Sequence, residues 1–349
     1  MINVLITGVG GPTPLGIAKS LLMNNNEYNI NLIGVDADPL APGLYNNKLF
    51  SKTYRVPDAS HQDYWPVITG LIQKENIHFA IPVPETEIIE WAKFLKENTL
   101  SCQTLIPDYE IAQFLFNKLR VSEALVDHGL APETHELHDI DDAKLIGDKL
   151  GYPYWVRVKS GAGALGSFKI NRQRDIENWL KVNPGKTGFI ASPFLPGRNY
   201  ACKILLNEGD VVMAATGERI GYLLSSSAPS GISGMCAHGR LINDTDLFER
   251  AKKALDIIFN QFGKKPHGMF TIDSKASQDN IPYITEINLR AVSFTHAFSM
   301  AGANFAKKTL EVFYLNQDYK SHFHYFDKDY RFIRGVDSDL FLIEEEKLL

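Results

Sequence analysis

Two spacings of hydrophobic residues alternate along the first hundred residues of the chain. Short apolar runs occur in VLIT, NLIGVD, TYRVP, HFAIPVP and TLIPD, and the stretches between them carry apolar residues every three or four positions. The short runs predict buried strands, and the intervening stretches predict helices near residues 15–24, 61–74 and 85–97. Because parallel strands need crossover connections, this order predicts a parallel sheet covered by helices over residues 1–108.

The pattern changes after the first third of the chain. A helical stretch is predicted over residues 108–128, and strand–loop–strand spacing follows in PYWVRVKSGAGALGSFKI and GFIAS. Farther on, RNYACKILLNEGDVVMAAT predicts a hairpin, and GMFTIDSK with PYITEINLR predicts a second antiparallel strand pair. The chain is therefore predicted to join an α/β region at residues 1–108 to α+β regions at 109–191 and 192–349.

The first turn, in NVLITGVGGPTPLG, is rich in glycine and raises the question of a dinucleotide site. Asp36 ends the second strand about where a dinucleotide fold places its ribose-binding acid. However, Thr13 stands where the third glycine of that fingerprint belongs, and Pro12 and Pro14 remove two N–H groups at the helix entrance. We expect a Rossmann-like turn without a dinucleotide. An NAD(P)-dependent oxidoreductase is the alternative from a different functional class.

Composition and charge restrict the partners and the compartment. The 349 residues carry a formal net charge of −5, which argues against a nucleic-acid partner. No apolar run approaches about 18 residues, so no membrane span is predicted. The three cysteines, Cys102, Cys202 and Cys236, lack zinc-ligand spacing. Scattered cysteines fit a reducing compartment, and we expect a cytoplasmic protein.

The strand PYITEIN places two polar side chains on one face. Glu286 and Asn288 lie two residues apart, and Arg290 shares their face if the strand continues. A hairpin with GMFTIDSK would bring Asp273 beside Glu286. Hard divalent cations prefer oxygen ligands, and arginine matches phosphate with a bidentate fork. The pattern predicts a site for a divalent cation and a phosphate, with a solvated polar face as the simpler alternative for ExNxR alone.

A glycine-rich loop in VRVKSGAGALGS is a second candidate for phosphate binding. Arg157 and Lys159 share a face of the strand that leads into Gly161, Gly163 and Gly166. Such a loop lets backbone N–H groups approach phosphate oxygens closely, with two cations behind them. It is not a Walker loop, because no G-K-[ST] follows, and a flexible hairpin is the alternative for this stretch alone.

In this order and spacing, the motifs resemble the ATP-grasp superfamily, in the branch like the large subunit of carbamoyl-phosphate synthase. The resemblance covers the chain to about residue 305, with a single grasp unit. The opening asparagine–lysine pair of the family is matched by Asn117–Lys118, its glycine loop by VRVKSGAGALG and its adenine hinge by SPFLPGRNYACKIL. The arginine in ATGERI and the metal set formed by Asp273 with EINLR complete the match.

The resemblance implies a domain order and a reaction. The domains would be a Rossmann-like pre-ATP-grasp domain at 1–108, a linker helix with a mobile lid subdomain at 109–191, and a C-terminal domain with the metal site and the tail at 192–349. Members of the superfamily typically phosphorylate a carboxylate with ATP and let an amine displace the phosphate. The resemblance therefore implies a carboxylate–amine ligase that forms an acyl phosphate and releases ADP and phosphate.

The resemblance also assigns residues to the nucleotide. Lys118 and Arg157 would neutralise the α- and β-phosphates of ATP, and the three glycines of the loop would close over them. The backbone of Phe194 and Leu195 would bind the adenine edge, and Asn199 would bind the ribose.

Metal ligands and catalytic residues follow from the same motifs. Asp273, Glu286 and Asn288 would hold Mg²⁺ or Mn²⁺, as two ions. The implied catalytic residues are Arg219, Arg290 and Lys159. The two arginines would stabilise the transferred phosphoryl group or the acyl phosphate.

Three positions depart from the pattern of the family. Asn199 stands where the ribose-binding glutamate is usual, Lys203 replaces a common aspartate, and Leu289 replaces the proline of ExNPR. None of these changes removes a metal ligand or both phosphate cations, so we expect an active site.

Several alternatives and partners stay open at this point. A carbamoyl-phosphate-type phosphorylation of bicarbonate or carbamate is the nearest enzymatic alternative, and a non-catalytic ATP-binding regulator is another. The expected partners are a small carboxylate, an amine and a second copy of the chain. The loop Ser225–Leu241, with His238, and the segment AVSFTHAFSMAGANF are predicted to line the acceptor pocket.

Overall fold

The computed structural model describes residues 1–23, 27–161, 166–183, 188–228, 230–335 and 340–347. These residues form three sheets of five, four and seven strands, each with helices packed against it. The first sheet is parallel and the other two are antiparallel, which confirms the predicted α/β plus α+β fold class. None of the helices in this part of the chain is both long and apolar enough to cross a membrane.

The first sheet has the strand order β3-β2-β1-β4-β5. Its elements are β1 (Ile2–Thr7), α1 (Pro12–Leu22), β2 (Ile30–Asp36), β3 (Lys52–Arg55), α2 (Tyr64–Lys74), β4 (Phe79–Ile81), α3 (Glu85–Glu97) and β5 (Gln103–Thr104). Alternate residues of β1 enter different cores, Val4 and Ile6 on one face and Leu5 on the other. Both faces are therefore buried, as a parallel sheet requires.

The predicted helical stretch at 108–128 is two helices, α4 (Tyr109–Phe116) and α5 (Lys118–Val126). Asn117 between them has an extended backbone, and its side chain accepts hydrogen bonds from the N–H groups of Leu119 and Arg120. An asparagine that satisfies these donors is a preferred N-cap, so the chain restarts a helix at Lys118 instead of continuing the first one.

The second sheet has the order β6-β9-β7-β8. It contains β6 (His135–Leu137), α6 (Ile140–Leu150), β7 (Tyr154–Val158), β8 (Phe168–Ile170), α7 (Gln173–Val182) and β9 (Phe189–Pro193). One face packs on the two helices through a core that includes Tyr154 and Val156. Because side chains alternate along a strand, Trp155 and Arg157 point to the opposite face, away from this core.

The third sheet is the largest, with the order β14-β13-β10-β11-β12-β15-β16. Its elements are β10 (Asn199–Asn207), β11 (Asp210–Tyr222), β12 (Cys236–Ile242), α8 (Thr245–Gln261), β13 (Gly268–Ala276), β14 (Pro282–Asn288), α9 (Thr295–Met300), α10 (Phe305–Phe313), β15 (Tyr330–Arg334) and β16 (Leu340–Glu344). The hairpin β10–β11 turns at Glu208–Gly209, as predicted. One sheet face packs on α8, and the other packs on a phenylalanine-rich cluster that includes Phe294 and Phe298.

A buried polar network stabilises the first sheet beneath its glycine-rich turn. Glu87, on α3, accepts hydrogen bonds from Thr7 and Tyr64, and the Trp91 indole donates to the Tyr64 hydroxyl. Burial raises the pKa of Glu87 to about 7, and the two hydrogen bonds oppose that rise. The carboxyl group therefore holds a proton in the folded protein at pH values where the unfolded chain has lost it.

We expect Glu87 to make stability depend on pH between about 5 and 8. The pKa of Glu87 in the folded state lies above its ordinary value of 4.5, so its contribution to the free energy of unfolding is full below that value. The contribution is then lost as pH rises through about 7. Relative to Glu87→Gln, the wild type should lose roughly 1–3 kcal/mol across this range, measured as urea unfolding at several pH values.

Glu97→Gln, a change at an exposed position at the end of the same helix, is the matched control. It should leave the pH dependence of the wild type in place. The measurement compares the free energy of unfolding of the wild type with that of Glu87→Gln. If the difference between the two proteins is the same at pH 5 and at pH 8, this account of Glu87 is wrong.

Candidate active site

Two carboxylates and an amide lie together on the hairpin β13–β14. Asp273 is directly opposite Glu286 in the strand register, which confirms the predicted pairing. Asn288 donates from its side-chain amide to the Asp273 carboxylate at 3.3 Å and to the Thr271 carbonyl at 3.2 Å. Burial raises the pKa of Asp273, and the nearby Glu286 charge raises it further. Two neighbouring carboxylates with little water around them need cations.

Arg219 on β11 neutralises Asp273. Its Nη2 atom lies 2.6 Å from Asp273 Oδ1, and its side chain is only 9 % exposed. The guanidinium also donates to the Tyr200 carbonyl and lies 5.1 Å from the centre of the Phe294 ring. Because the ion pair spans β10, the arginine in ATGERI belongs to the same site as the carboxylate pair, as the sequence motifs imply.

Lys118, the first residue of α5, neutralises Glu286. Its Nζ atom lies 3.1 Å from Glu286 Oε1 and donates to the Gly161 carbonyl at 2.5 Å. The Lys118 backbone N–H also donates to the Lys159 carbonyl at 2.9 Å. The asparagine–lysine motif therefore joins the linker helix, the end of β7 and the carboxylate pair.

Arg157 reaches from β7 to the third sheet. Its Nη2 atom donates to the Thr285 carbonyl at 2.6 Å, one residue before Glu286. Its Nε atom is buried and has no hydrogen-bond partner in the described part of the chain. A buried charged donor without an acceptor is costly, so this cation fits an anion bound between the two sheets.

Arg290 and Glu85 bring the first sheet into the site. Arg290 Nη2 lies 3.9 Å from Glu85 Oε2, and burial raises the pKa of Glu85 against the opposing charge of the arginine. Glu85 was not among the site residues predicted from the sequence. Its signal was available, since PVPETE follows β4 directly. The carboxyl ends of parallel strands are where ligands bind in α/β sheets.

Some predicted residues lie apart from the carboxylate pair. Lys159 forms an ion pair with Glu136 on β6 at 2.5 Å, so the structure does not bring this predicted catalytic residue to Asp273. Gly161 and Gly166 both have positive φ, a conformation that glycine adopts without strain. Gly163 lies outside the described residues.

The predicted adenine hinge borders a cavity of about 750 Å³. Its lining includes Phe194, Leu195, Lys169 and Tyr283. The N–H of Phe194 points to the Pro153 carbonyl at 3.4 Å, so this donor is engaged within the protein. Adenine recognition by the hinge backbone therefore stays a prediction.

Two of the residues that depart from the family pattern, Asn199 and Lys203, lie on β10. Asn199 donates from its side-chain amide to the Tyr222 hydroxyl. Lys203 is fully buried, and its Nζ atom has no hydrogen-bond partner among the described residues. It lies 4.7 Å from the centre of the Phe298 ring, and burial holds its pKa well below the usual value. Lys203 therefore packs against the aromatic cluster below Arg219.

The oxygen ligands of this site fit a divalent metal ion, and its lysine and arginine side chains fit the phosphates of a nucleotide. Asp273, Glu286 and the amide of Asn288 supply the hard oxygen ligands that Mg²⁺ prefers, and both carboxylates are now paired with side-chain cations. No group of three or more His, Cys, Asp or Glu side chains that could hold a metal occurs in the described chain. The fit therefore rests on two carboxylates and one amide.

The glycine-rich turn after β1 is held by hydrogen bonds to the Asp36 carboxylate. The Gly10 N–H donates to Asp36 Oδ2 at 2.7 Å, and the Asp38 N–H donates to the other oxygen of this carboxylate. Pro12 is the first residue of α1, where it removes an N–H group that a pyrophosphate would use. Asp36 is engaged in holding the turn, which argues against a dinucleotide site.

The two segments predicted to line an acceptor pocket differ in their contacts with the site. Val292 and Phe294, which follow Arg290, are buried in the aromatic cluster below Arg219. His238 is exposed on β12, opposite Ile333 in the strand register. A substrate role for His238 gains no support from contacts with the carboxylate pair.

No family model matches the chain, and no curated protein matches it in sequence. Solved structures do match in fold. N5-carboxyaminoimidazole synthetase from Staphylococcus aureus, complexed with ADP, has a TM-score of 0.72 at 16 % identity, over 95 % of this chain and 82 % of that one. L-amino acid ligase from Bacillus licheniformis has a TM-score of 0.68 at 16 % identity, over 95 % and 79 %.

A third match is the biotin carboxylase domain dimer of Hydrogenobacter thermophilus 2-oxoglutarate carboxylase, in complex with MgADP, ADP and bicarbonate. Its TM-score is 0.71 at 14 % identity, over 95 % of this chain and 74 % of that chain. Each of the three matches covers 95 % of this chain. The chain therefore has the ATP-grasp fold, as its sequence motifs imply.

Proposed function

We propose that the protein is an ATP-dependent ligase that phosphorylates a small carboxylate and joins it to an amine. The observation that carries this proposal is the partly buried cluster of Asp273, Glu286 and Asn288, whose two carboxylates pair with Arg219 and Lys118. Two further cations lie beside it, Arg157 at the Thr285 carbonyl and Arg290 near Glu85. Solved structures with the same fold were obtained with ADP and MgADP, which supports an adenine nucleotide as the ligand of this cluster.

The chemistry explains why such a cluster is needed. A carboxylate resists attack by an amine, because its carbonyl is electron-rich and oxide is a poor leaving group. Transfer of the γ-phosphoryl group onto a carboxylate oxygen makes that oxygen part of a phosphate, which the amine then displaces. Phosphoryl transfer depends mainly on positioning and on neutralising charge, and this cluster can supply both.

Each charged residue has a place in this scheme. Lys118 and Arg157 lie where α5 and the second sheet meet β14 and would neutralise the α- and β-phosphates. Arg219 and Arg290 would stabilise the transferred phosphoryl group. Asp273, Glu286 and Asn288 would hold Mg²⁺, as two ions, which offset the phosphate charge when bound.

Closure of the second sheet over the nucleotide would exclude water. Among the described residues, contacts that bridge the two sheets include the Arg157 hydrogen bond to Thr285. Lys118 also bridges them, because it contacts Gly161 as well as Glu286. An acyl phosphate hydrolyses in water, so a lid of this kind protects the intermediate until the amine attacks.

Isotope transfer tests the reaction directly. Carboxylate and amine pairs are screened with MgATP for release of ADP and phosphate, and the active carboxylate is then labelled with ¹⁸O. One labelled oxygen should appear in the released phosphate, since the carboxylate oxygen leaves with the phosphoryl group. Formation of AMP and pyrophosphate, or unlabelled phosphate in every turnover, would contradict the acyl-phosphate route. Turnover with bicarbonate alone would favour the carbamoyl-phosphate-type alternative.

We expect Glu286→Gln to lower turnover by about 10²–10³. The amide keeps the shape of the side chain but removes the charge that pairs with Lys118 and would bind the metal. The rate of ADP release with a productive substrate pair measures the effect. Glu208→Gln, at the exposed hairpin turn of the same sheet, should keep the wild-type rate. A folded Glu286→Gln protein with wild-type turnover would show that the metal assignment is wrong.

Arg157→Met should weaken MgADP binding at least tenfold. The change removes a cation whose buried Nε atom has no acceptor within the described residues, and a charge-assisted hydrogen bond to phosphate is lost. Isothermal titration of the full chain measures the dissociation constant. Arg172→Met, at a mostly exposed arginine directly before α7, should bind like the wild type. Equal binding by Arg157→Met and Arg172→Met would rule out Arg157 as a phosphate ligand.

A further inference from the structure

A row of four side chains crosses the third sheet beside the carboxylate pair. The strand register places Asn199 opposite Arg219 on one side and opposite Lys275 on the other, and Lys275 lies opposite Tyr283. Directly paired residues point to the same face of a sheet. Arg219 identifies this face, because it forms its ion pair with Asp273. The row is therefore part of the floor of the proposed nucleotide site.

The row lies where we expect the sugar of a bound nucleotide. Tyr283, at one end of the row, lines the hinge cavity with Phe194 and Leu195. Asp273 lies two residues from Lys275 on the same strand face. A nucleotide with its base in the hinge cavity and its phosphates at the carboxylate pair would have its sugar over Asn199 and Lys275.

The hydrogen-bonding capacity of this row is limited. The NH₂ group of Asn199 donates to the Tyr222 hydroxyl, so the amide presents its carbonyl oxygen as one neutral acceptor. Burial raises the pKa of Tyr222 to about 12, so the phenol is also neutral. A carboxylate at position 199 would accept two charge-assisted hydrogen bonds from the sugar hydroxyls, and the row contains no carboxylate.

The charge of the row comes from Lys275 instead. No ion pair or hydrogen bond of its ammonium group occurs in the described residues. Arg219, in contrast, is already paired with Asp273. An ammonium group attracts the phosphates of any nucleotide, whatever hydroxyls its sugar carries.

We propose that the ribose subsite does not select for the 2′-hydroxyl group, so that the protein uses 2′-deoxy-ATP nearly as well as ATP. The inference rests on the proposed function, since it takes the nucleotide to lie across this sheet. Loss of the 2′-hydroxyl removes one hydrogen bond to the neutral side-chain oxygen of Asn199. The ammonium group of Lys275 is assigned to the phosphates, which both nucleotides carry.

Titration of the full chain with MgADP and with the 2′-deoxy form of the same nucleotide tests the proposal. The two dissociation constants should differ by about threefold, as expected for loss of one hydrogen bond to a neutral group. A preference of tenfold or more for MgADP would overturn the proposal. Binding needs no acceptor substrate, so the result does not depend on knowing the carboxylate or the amine.

Two variants separate the roles of the row. Asn199→Glu should increase the preference for MgADP over its 2′-deoxy form about tenfold, because a carboxylate then accepts from the 2′-hydroxyl. Asn207→Glu, at the far end of the same strand, is the matched control and should leave the preference unchanged. Lys275→Met should weaken binding of both nucleotides by the same factor. An unchanged preference in folded Asn199→Glu would show that the sugar does not lie at this position.

Failure of the proposed function is distinguishable from failure of this inference. If neither nucleotide binds the wild-type protein, the nucleotide site itself is wrong. If MgADP binds and its 2′-deoxy form binds tenfold more weakly or worse, the nucleotide site stands and the account of the sugar subsite is wrong.

Discussion

The structure depends on two carboxylates that are held side by side in a largely buried position. Asp273 and Glu286 occupy paired positions of one hairpin, where their charges repel and little water screens them. Each is matched by a cation from another element, Arg219 from β11 and Lys118 from α5. Because removing either cation would leave a buried charge uncompensated, the hairpin, the neighbouring strand and the linker helix are constrained together.

The same charges connect the second sheet to the third. Lys118 contacts the backbone of Lys159 and Gly161 at the start of the glycine loop, and Arg157 crosses to the strand that carries Glu286. Phosphate attracts both cations, and Mg²⁺ attracts both carboxylates. Binding of a metal–nucleotide complex would therefore replace ion pairs within the protein by ion pairs with the ligand, with little change in net charge at the site.

Much of the fold and part of the site follow from short-range patterns. The parallel sheet followed from alternating periods, and the pairing of Asp273 with Glu286 followed from two strands joined by a short turn. Other features depend on residues far apart in the chain. The break at Asn117 depends on side-chain capping within an apolar helical pattern, and the approach of Glu85 to Arg290 depends on packing between sheets.

The sequence alone determined the order of the elements, the candidate cations and the acids of the hairpin, because spacing along a strand or helix decides which face a residue occupies. Tertiary structure alone decided which cation pairs with which acid. Lys159 pairs with Glu136 and Lys118 with Glu286, although both lysines belong to motifs that are predicted to bind phosphate. Such partners are set by distances of a few ångströms between separate elements, and these distances follow from packing that the local pattern does not encode.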